Sequence, residues 1–185
     1  MGWSSQPQIE RDCLSNPGGS TDFERSALRD GSEMNERIVP PRANAADVAR
    51  YLVERYGGMA QLTLQKLLFY CQAASLAWSG RPMFGDRIEA WANGPVVVPF
   101  WNAHRYEGWI SSVPEGNALP DAEAARIADR IFEHFGRHAP EELSDMTHSE
   151  KPWIDARRGL SPGQRGSVEI EIPVMLNHYS QEWRP

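Results

Sequence analysis

Thr63-Leu-Gln-Lys-Leu-Leu-Phe-Tyr-Cys-Gln-Ala-Ala-Ser-Leu-Ala-Trp78, followed after a Pro-containing loop by Ile88-Glu-Ala-Trp-Ala-Asn-Gly-Pro-Val96, is the stretch whose reading sets the fold. The first part is the most apolar helical segment of the chain. Leu64, Leu67, Leu68, Cys71, Ala74 and Trp78 recur at helical spacing, and Phe69, Tyr70 and Leu76 widen that stripe, so the helix is expected to be covered on more than one side. Thr63 reads as its cap and Gly80 as its stop. Ile88–Trp91 reads as a short strand and Asn93-Gly94-Pro95 as a turn. Two charged residues, Lys66 and Glu89, stand inside this apolar context.

Working outward, Asn44–Gly57 reads as a helix with an Asn44/Asp47 capping pair and a Gly57-Gly58 stop. A third helix is expected to start near Pro99 and run through Tyr106, followed by an extended piece within 108–113. A fourth follows Asp121 and ends at Gly136, with Ala125, Ile127, Ala128, Ile131, Phe132 and Phe135 inward. Short helices are expected at 140–147 and 152–158, a strand at 168–172, and a last helix opened by Pro173. Residues 1–42 mix Ser, Gly, Pro, Asn and charges without a period and read as a disordered arm, with Met34 as an alternative start. The expectation is a mainly α, single compact multi-helix domain over 43–185 with one or two short β segments.

The chain has 185 residues, a formal charge of −6 and only two cysteines. An acidic balance argues against a generic nucleic-acid binder, whose footprint is a basic face. Cys13 falls in the arm and Cys71 on an apolar helix face, so neither a disulfide nor a Cys-based metal site is expected. The N-terminus lacks the apolar core of a signal peptide, and no run is long enough to span a bilayer. Cytoplasmic residence is the simplest reading.

Candidate chemistry is sparse. His148 and Glu150, flanked by Thr147, Pro152 and Trp153, read either as a base with its carboxylate or as two metal ligands. Against this stands helix-entrance capping, the favoured reading. His104, His134, His138 and His178 supply no ligand spacing, so no metal and no cofactor are expected. Lys66 and Glu89 could form a buried ion pair, or both could reach the surface along their stems. Arg157-Arg158 with Arg165 reads as a solvated basic face. No nucleophile elbow or phosphate loop is present. Trp101, Tyr106 and Trp109 follow the turn among polar neighbours, the pattern of aromatic anchors at a partner surface.

Leu64-Gln65-Lys66-Leu67-Leu-Phe-Tyr70, then Glu89-Ala-Trp91-Ala-Asn-Gly94-Pro95-Val-Val, then Thr147-His148-Ser-Glu150-Lys-Pro152-Trp153 resemble, in order and separation, the signatures of the Panacea domain, the SocA-like antitoxin family. The resemblance extends over roughly residue 44 to the C-terminus. Val98 and Phe100-Trp101 depart from the more polar helix start usual in the family. The resemblance implies a non-enzymatic antitoxin of bacterial or phage origin that binds a cognate protein toxin encoded beside it. One branch of the family acts as an adaptor to a ClpXP-type protease. Gln65, Lys66, Glu89, Thr147, His148 and Glu150 would then be struts of a binding scaffold, with Lys66, Glu89 and His148 close in space. An enzyme using His148 and Glu150, and a DNA-binding autoregulator, are the alternatives; self-association stays open.

Overall fold

The computed structural model describes residues 39–119 and 121–183; of the expected arm at 1–42, residues 1–38 lie outside the described residues. Among these residues the elements run α1 (Ala45–Tyr56), β1 (Met59–Ala60), α2 (Gln61–Ser79), β2 (Ile88–Trp91), β3 (Gly94–Val97), α3 (Val98–His104), β4 (Trp109–Ile110), α4 (Ala122–Phe135), α5 (Pro140–His148), α6 (Lys151–Ala156) and α7 (Ile172–Glu182). The architecture is mainly α with two short two-stranded sheets, as the sequence implies.

α2 is the axis. Every residue from Thr63 to Leu76 is buried, because α1, α4, α5, α7 and β3 all pack against it. That enclosure explains why the helix carries no single apolar stripe: a helix buried all round needs none. It starts two residues before the expected cap. Thr63 sits inside the helix and is buried, and no side chain caps the start at Ala60. The Gln61 amide instead donates to the Gly108 carbonyl, and the Gln61 side chain to the His104 carbonyl at 2.9 Å. Gly80, left-handed at φ +66°, closes the last turn through its amide to the Leu76 carbonyl.

α1 opens on a reciprocal capping box. Asn44 Oδ1 accepts the Asp47 amide at 2.9 Å, and Asp47 Oδ2 accepts the Asn44 amide at 3.2 Å. α4 is held at its start by Asp121, which accepts the Glu123 amide at 2.8 Å; its inner face is Ala124, Ile127, Ala128, Ile131 and Phe135, with Ala125 only half-buried. The lead-in to α1 is tied down: Arg42 pairs with Asp121 at 2.5 Å, and Arg81 donates to the Pro40 and Pro41 carbonyls.

The extended pieces depart from the sequence reading in three places. Gly94-Pro95 is not a turn but the start of β3, which pairs antiparallel with β2 in the register Trp91↔Gly94 through Ile88↔Val97. β1 has no sequence signal and pairs with β4. The expected strand at 168–172 reduces to a bridge between Glu89 and Glu169, with the Ala90 amide on the Val168 carbonyl and the Ile170 amide on the Ile88 carbonyl. α3 ends at His104, so Tyr106 lies beyond it in a loop.

Candidate functional site

Three separate sequence blocks converge on one face of α2. Lys66 is fully buried, and its Nζ donates to the Pro95 carbonyl of β3 at 3.1 Å. Gly94 permits this approach: with φ +99°, a Cβ there would stand 2.6 Å from Lys66 Cε and 2.7 Å from both Lys66 Nζ and Thr147 Oγ1. Thr147 is buried on α5 and donates back to the Ser144 carbonyl at 2.8 Å. One residue on, the His148 ring stacks on Trp153 with centroids 4.1 Å apart, and the Trp153 indole donates to the Trp91 carbonyl at 2.9 Å. The blocks at 64–70, 89–95 and 147–153 are thereby one packed unit.

The electrostatics follow from burial. With one carbonyl as acceptor and no carboxylate bonded to it, the Lys66 ammonium is pushed down to about 7 by desolvation. His148 is held below its ordinary value first by burial and then by the nearby Lys66 charge, and its Nε2 has no hydrogen-bond partner. Glu150 turns the other way, accepting the Tyr179 hydroxyl of α7 at 2.6 Å. Burial raises its carboxyl to about 7 despite the hydroxyls of Tyr179 and Tyr70 beside it. The Tyr70 hydroxyl is buried next to this carboxylate, short of hydrogen-bond geometry, and burial together with the Glu150 charge raises its pKa.

Three sequence readings are corrected here. Lys66 and Glu89 do not form an ion pair: Glu89 bonds Arg87 at 2.9 Å and the Trp91 indole at 2.8 Å. Arg87, directly before β2, and Glu89 and Trp91 on it fall at every second position, a period-two signal that was legible. Lys66 and His148 come together, while the bonds of Glu89 go to Arg87 and Trp91 and not to either of them. Nor do His148 and Glu150 cap a helix: Glu150 has no capping bond at the start of α6, and its carboxylate serves α7. Finally, Arg157 is not a solvated basic group. It is 5% exposed, donates to the carbonyls of Ala90 at 3.1 Å and Gln164 at 2.7 Å, and lies over the Trp153 ring.

The polar side chains of α2 complete backbone that short strands leave open. Gln65 Oε1 accepts the Val97 amide at 2.8 Å. Gln72 Oε1 accepts the Met83 and Phe84 amides, while its Nε2 donates to the Phe84 carbonyl. Leu64 and Leu67 are wholly buried in the core, and Pro152 is buried at the start of α6. Of the expected partner aromatics, Trp101 is half-buried and packs edge-on against Trp91 at 5.4 Å. Tyr106 is 87% exposed and Trp109 62% exposed, three residues apart, with the Arg105 guanidinium over the Tyr106 ring. Sequence reasoning missed Arg157, Tyr179 and Gln72.

Among the described residues no group of three or more His, Cys, Asp or Glu side chains could hold a metal ion, and no helix is long and apolar enough to cross a membrane. The surface hollows lined by Asn44, Asp86, Pro99, Phe100 and Glu115, and by Arg50, Glu54 and Ser111–Pro114, lie away from the converging blocks.

Fold and site together define a small helical scaffold whose polar signature is packed against its central helix. Residues 64–154 match the family model described as antitoxin SocA-like, Panacea domain. That match covers a shorter span than the resemblance from residue 44 onward. No curated protein matches the chain, and no solved structure does.

Proposed function

We propose that this chain is an antitoxin-type binding protein that neutralises a cognate protein toxin encoded by a neighbouring gene. It does so in the cytoplasm, without a cofactor, either by direct blockade or by delivering the toxin to a ClpXP-type protease. The observation that carries the reading is the family match over 64–154, whose three motif blocks meet as packed struts. Tyr106 and Trp109 are the anchors we assign to the toxin, with Trp101 at their flank; large exposed aromatics supply contact area at low entropy cost.

Co-expression tests the reading. The neighbouring reading frame expressed alone should arrest growth, and this chain should relieve the arrest. A neighbour that is harmless on expression removes the main support. The protease route is separated by following the toxin's half-life with and without the protease in cells holding this chain.

One observation favours an enzyme instead: Lys66 and Glu150 are both driven to about 7, as happens at catalytic sites. Weighing against it, Lys66 is fully enclosed, and His148 and Glu150 turn to different partners, Trp153 and Tyr179. Glu150→Gln with undiminished toxin relief supports the binding protein; loss of a turnover activity in that variant supports the enzyme.

A further inference from the structure

The aromatic pair Tyr106 and Trp109 stands on a segment whose two carboxylates meet at one buried imidazole. His104, the last residue of α3, is 5% exposed. Its Nδ1 lies 2.9 Å from Glu107 Oε1 and its Nε2 2.6 Å from Glu115 Oε1. A carboxylate oxygen accepts, so a ring facing one on each side satisfies both only as the doubly protonated imidazolium. The two glutamates bracket the span that carries Trp109. Both are partly exposed, 49% and 40% at the side chain, so the clasp closes from the solvent side over a buried ring.

The surroundings show what His104 alone holds. Uncharged contacts also anchor the chain just before the span and at its start. The Gln61 side chain takes the His104 carbonyl, the Gln61 amide takes the Gly108 carbonyl, and β1 pairs with β4. Beyond Glu115, Arg50 donates to the Gly116 carbonyl, and Asp47 accepts the Asn117 amide. The Phe100 ring lies against the imidazole at 4.5 Å, and the neighbouring Arg105 is engaged with Tyr106. The side chains of Glu107 and Glu115 are joined to each other through His104 alone of these contacts. Were the imidazole to lose one proton, one carboxylate would face a ring lone pair and be repelled.

We propose that His104 is the positioning residue of the Tyr106–Trp109 surface, an imidazolium clasp that makes partner docking there depend on its own protonation. The proposal rests on the toxin-docking reading for its use and on the geometry of the free chain for its existence. Its partner is a protein segment seated on the two exposed aromatics, and the clasp sets how rigidly they are presented.

The free, full-length chain tests the clasp first. Nitrogen NMR of the imidazoles at about pH 6, inside the window where histidine changes charge, should find both His104 nitrogens protonated. Amide exchange across 106–115, corrected for its intrinsic base dependence, should lose about tenfold protection once the ring gives up one of its protons, the worth of one charged hydrogen bond. His104→Gln should flatten the profile. Glu107→Gln and Glu115→Gln, which alter only partly exposed side chains, should each weaken it and guard against a misfolded His104 variant. A singly protonated ring at about pH 6, or the same exchange profile in the wild type and all three variants, overturns the clasp. Affinity for the neighbouring gene's product should follow the exchange profile. Wild-type affinity in Tyr106→Ala/Trp109→Ala overturns the docking assignment while leaving the clasp to its own spectroscopic outcome.

Discussion

Gly94→Ala is the sharpest perturbation of the converging blocks. A Cβ at this position would lie 2.6 Å from Lys66 Cε and 2.7 Å from Thr147 Oγ1, on a backbone at φ +99°. The left-handed backbone alone costs an L-residue about 1–2 kcal/mol. The end of a lysine chain normally swings aside, but Lys66 and Thr147 are both fully buried, and the ammonium is bonded to the Pro95 carbonyl. Forcing a methyl into such packing adds roughly 1–3 kcal/mol, so the total is about 2–5 kcal/mol against a typical domain stability of about 5–15 kcal/mol. Gly80→Ala is the control, since Gly80 also has positive φ, +66°, but nothing within 4 Å of an added Cβ. It should lose the backbone part only. In urea the Gly94 variant should move its midpoint by about 1–2 M more than the control, at an ordinary slope for a small domain. Adding Lys66→Leu should recover about 1 kcal/mol or more through coupling of residues in contact. Equal losses at Gly94 and Gly80 would refute the claim that the second block packs directly on Lys66 and Thr147.

Stability should depend on pH in an unusual way, because the two buried groups are shifted towards each other. Lys66 falls from 10.5 to about 7, so between those values the unfolded chain holds a proton that the folded chain lacks, and stability rises with pH. Glu150 rises from 4.5 to about 7, so over that window the folded chain holds the extra proton and stability falls as pH rises. Denaturation at a series of pH values should find Lys66→Met lacking the alkaline rise and Glu150→Gln lacking the acidic-side fall, each slope at most about 1.4 kcal/mol per unit; parallel profiles in wild type and variants would sink the attribution. Arg157→Lys should cost about 2–3 kcal/mol, since an ammonium cannot serve the Ala90, Ser161 and Gln164 carbonyls at once while lying over Trp153; a loss below about 0.5 kcal/mol, as at an ordinary surface site, returns Arg157 to the solvated face. Tyr106→Ala should leave stability within about 0.5 kcal/mol, as befits a side chain 87% exposed, while weakening toxin capture in a pull-down with the neighbouring gene's product; unchanged capture counts against that surface.

What was legible in the sequence was whatever obeys a local period or cap. α1 announces itself by Asn44 and Asp47 three apart, and both halves of the capping box are made. α4 follows from its spacing of Ile127, Ile131 and Phe135. What was not legible depends on tertiary partners. Thr63 resembles a cap because a hydroxyl precedes an apolar run, yet Gln61 opens the helix through bonds to the 104–108 loop. Gly94-Pro95 reads as a turn because proline lacks a ladder donor. A two-stranded hairpin leaves residues with an outward edge, and there Pro95 needs only its carbonyl, which takes Lys66. Met59-Ala60 is too short to have a period at all. Tyr179 and Glu150 are separated by 29 positions, and nothing local joins them.

The charged and amide groups inside so apolar a helix have a common physical origin. The stretch from Met83 to Val97 runs against α2 as loop and very short strand, so much of its backbone is buried without a ladder partner. Buried amides and carbonyls left unpaired are costly, and the shortfall must be met by side chains. Gln65 and Gln72, seven positions apart and hence on one helix face, meet it at Val97 and at Met83-Phe84; Lys66 meets it at Pro95. A polar helix face of this kind fixes the path of the following segment, which carries β2, β3 and then the turn with Tyr106 and β4 with Trp109. Under the proposed antitoxin reading, the signature residues act on a partner only through the position they give those two rings, so changes at Gln65 or Gln72 should alter capture of the neighbouring gene's product in proportion to the disorder they cause in 83–97.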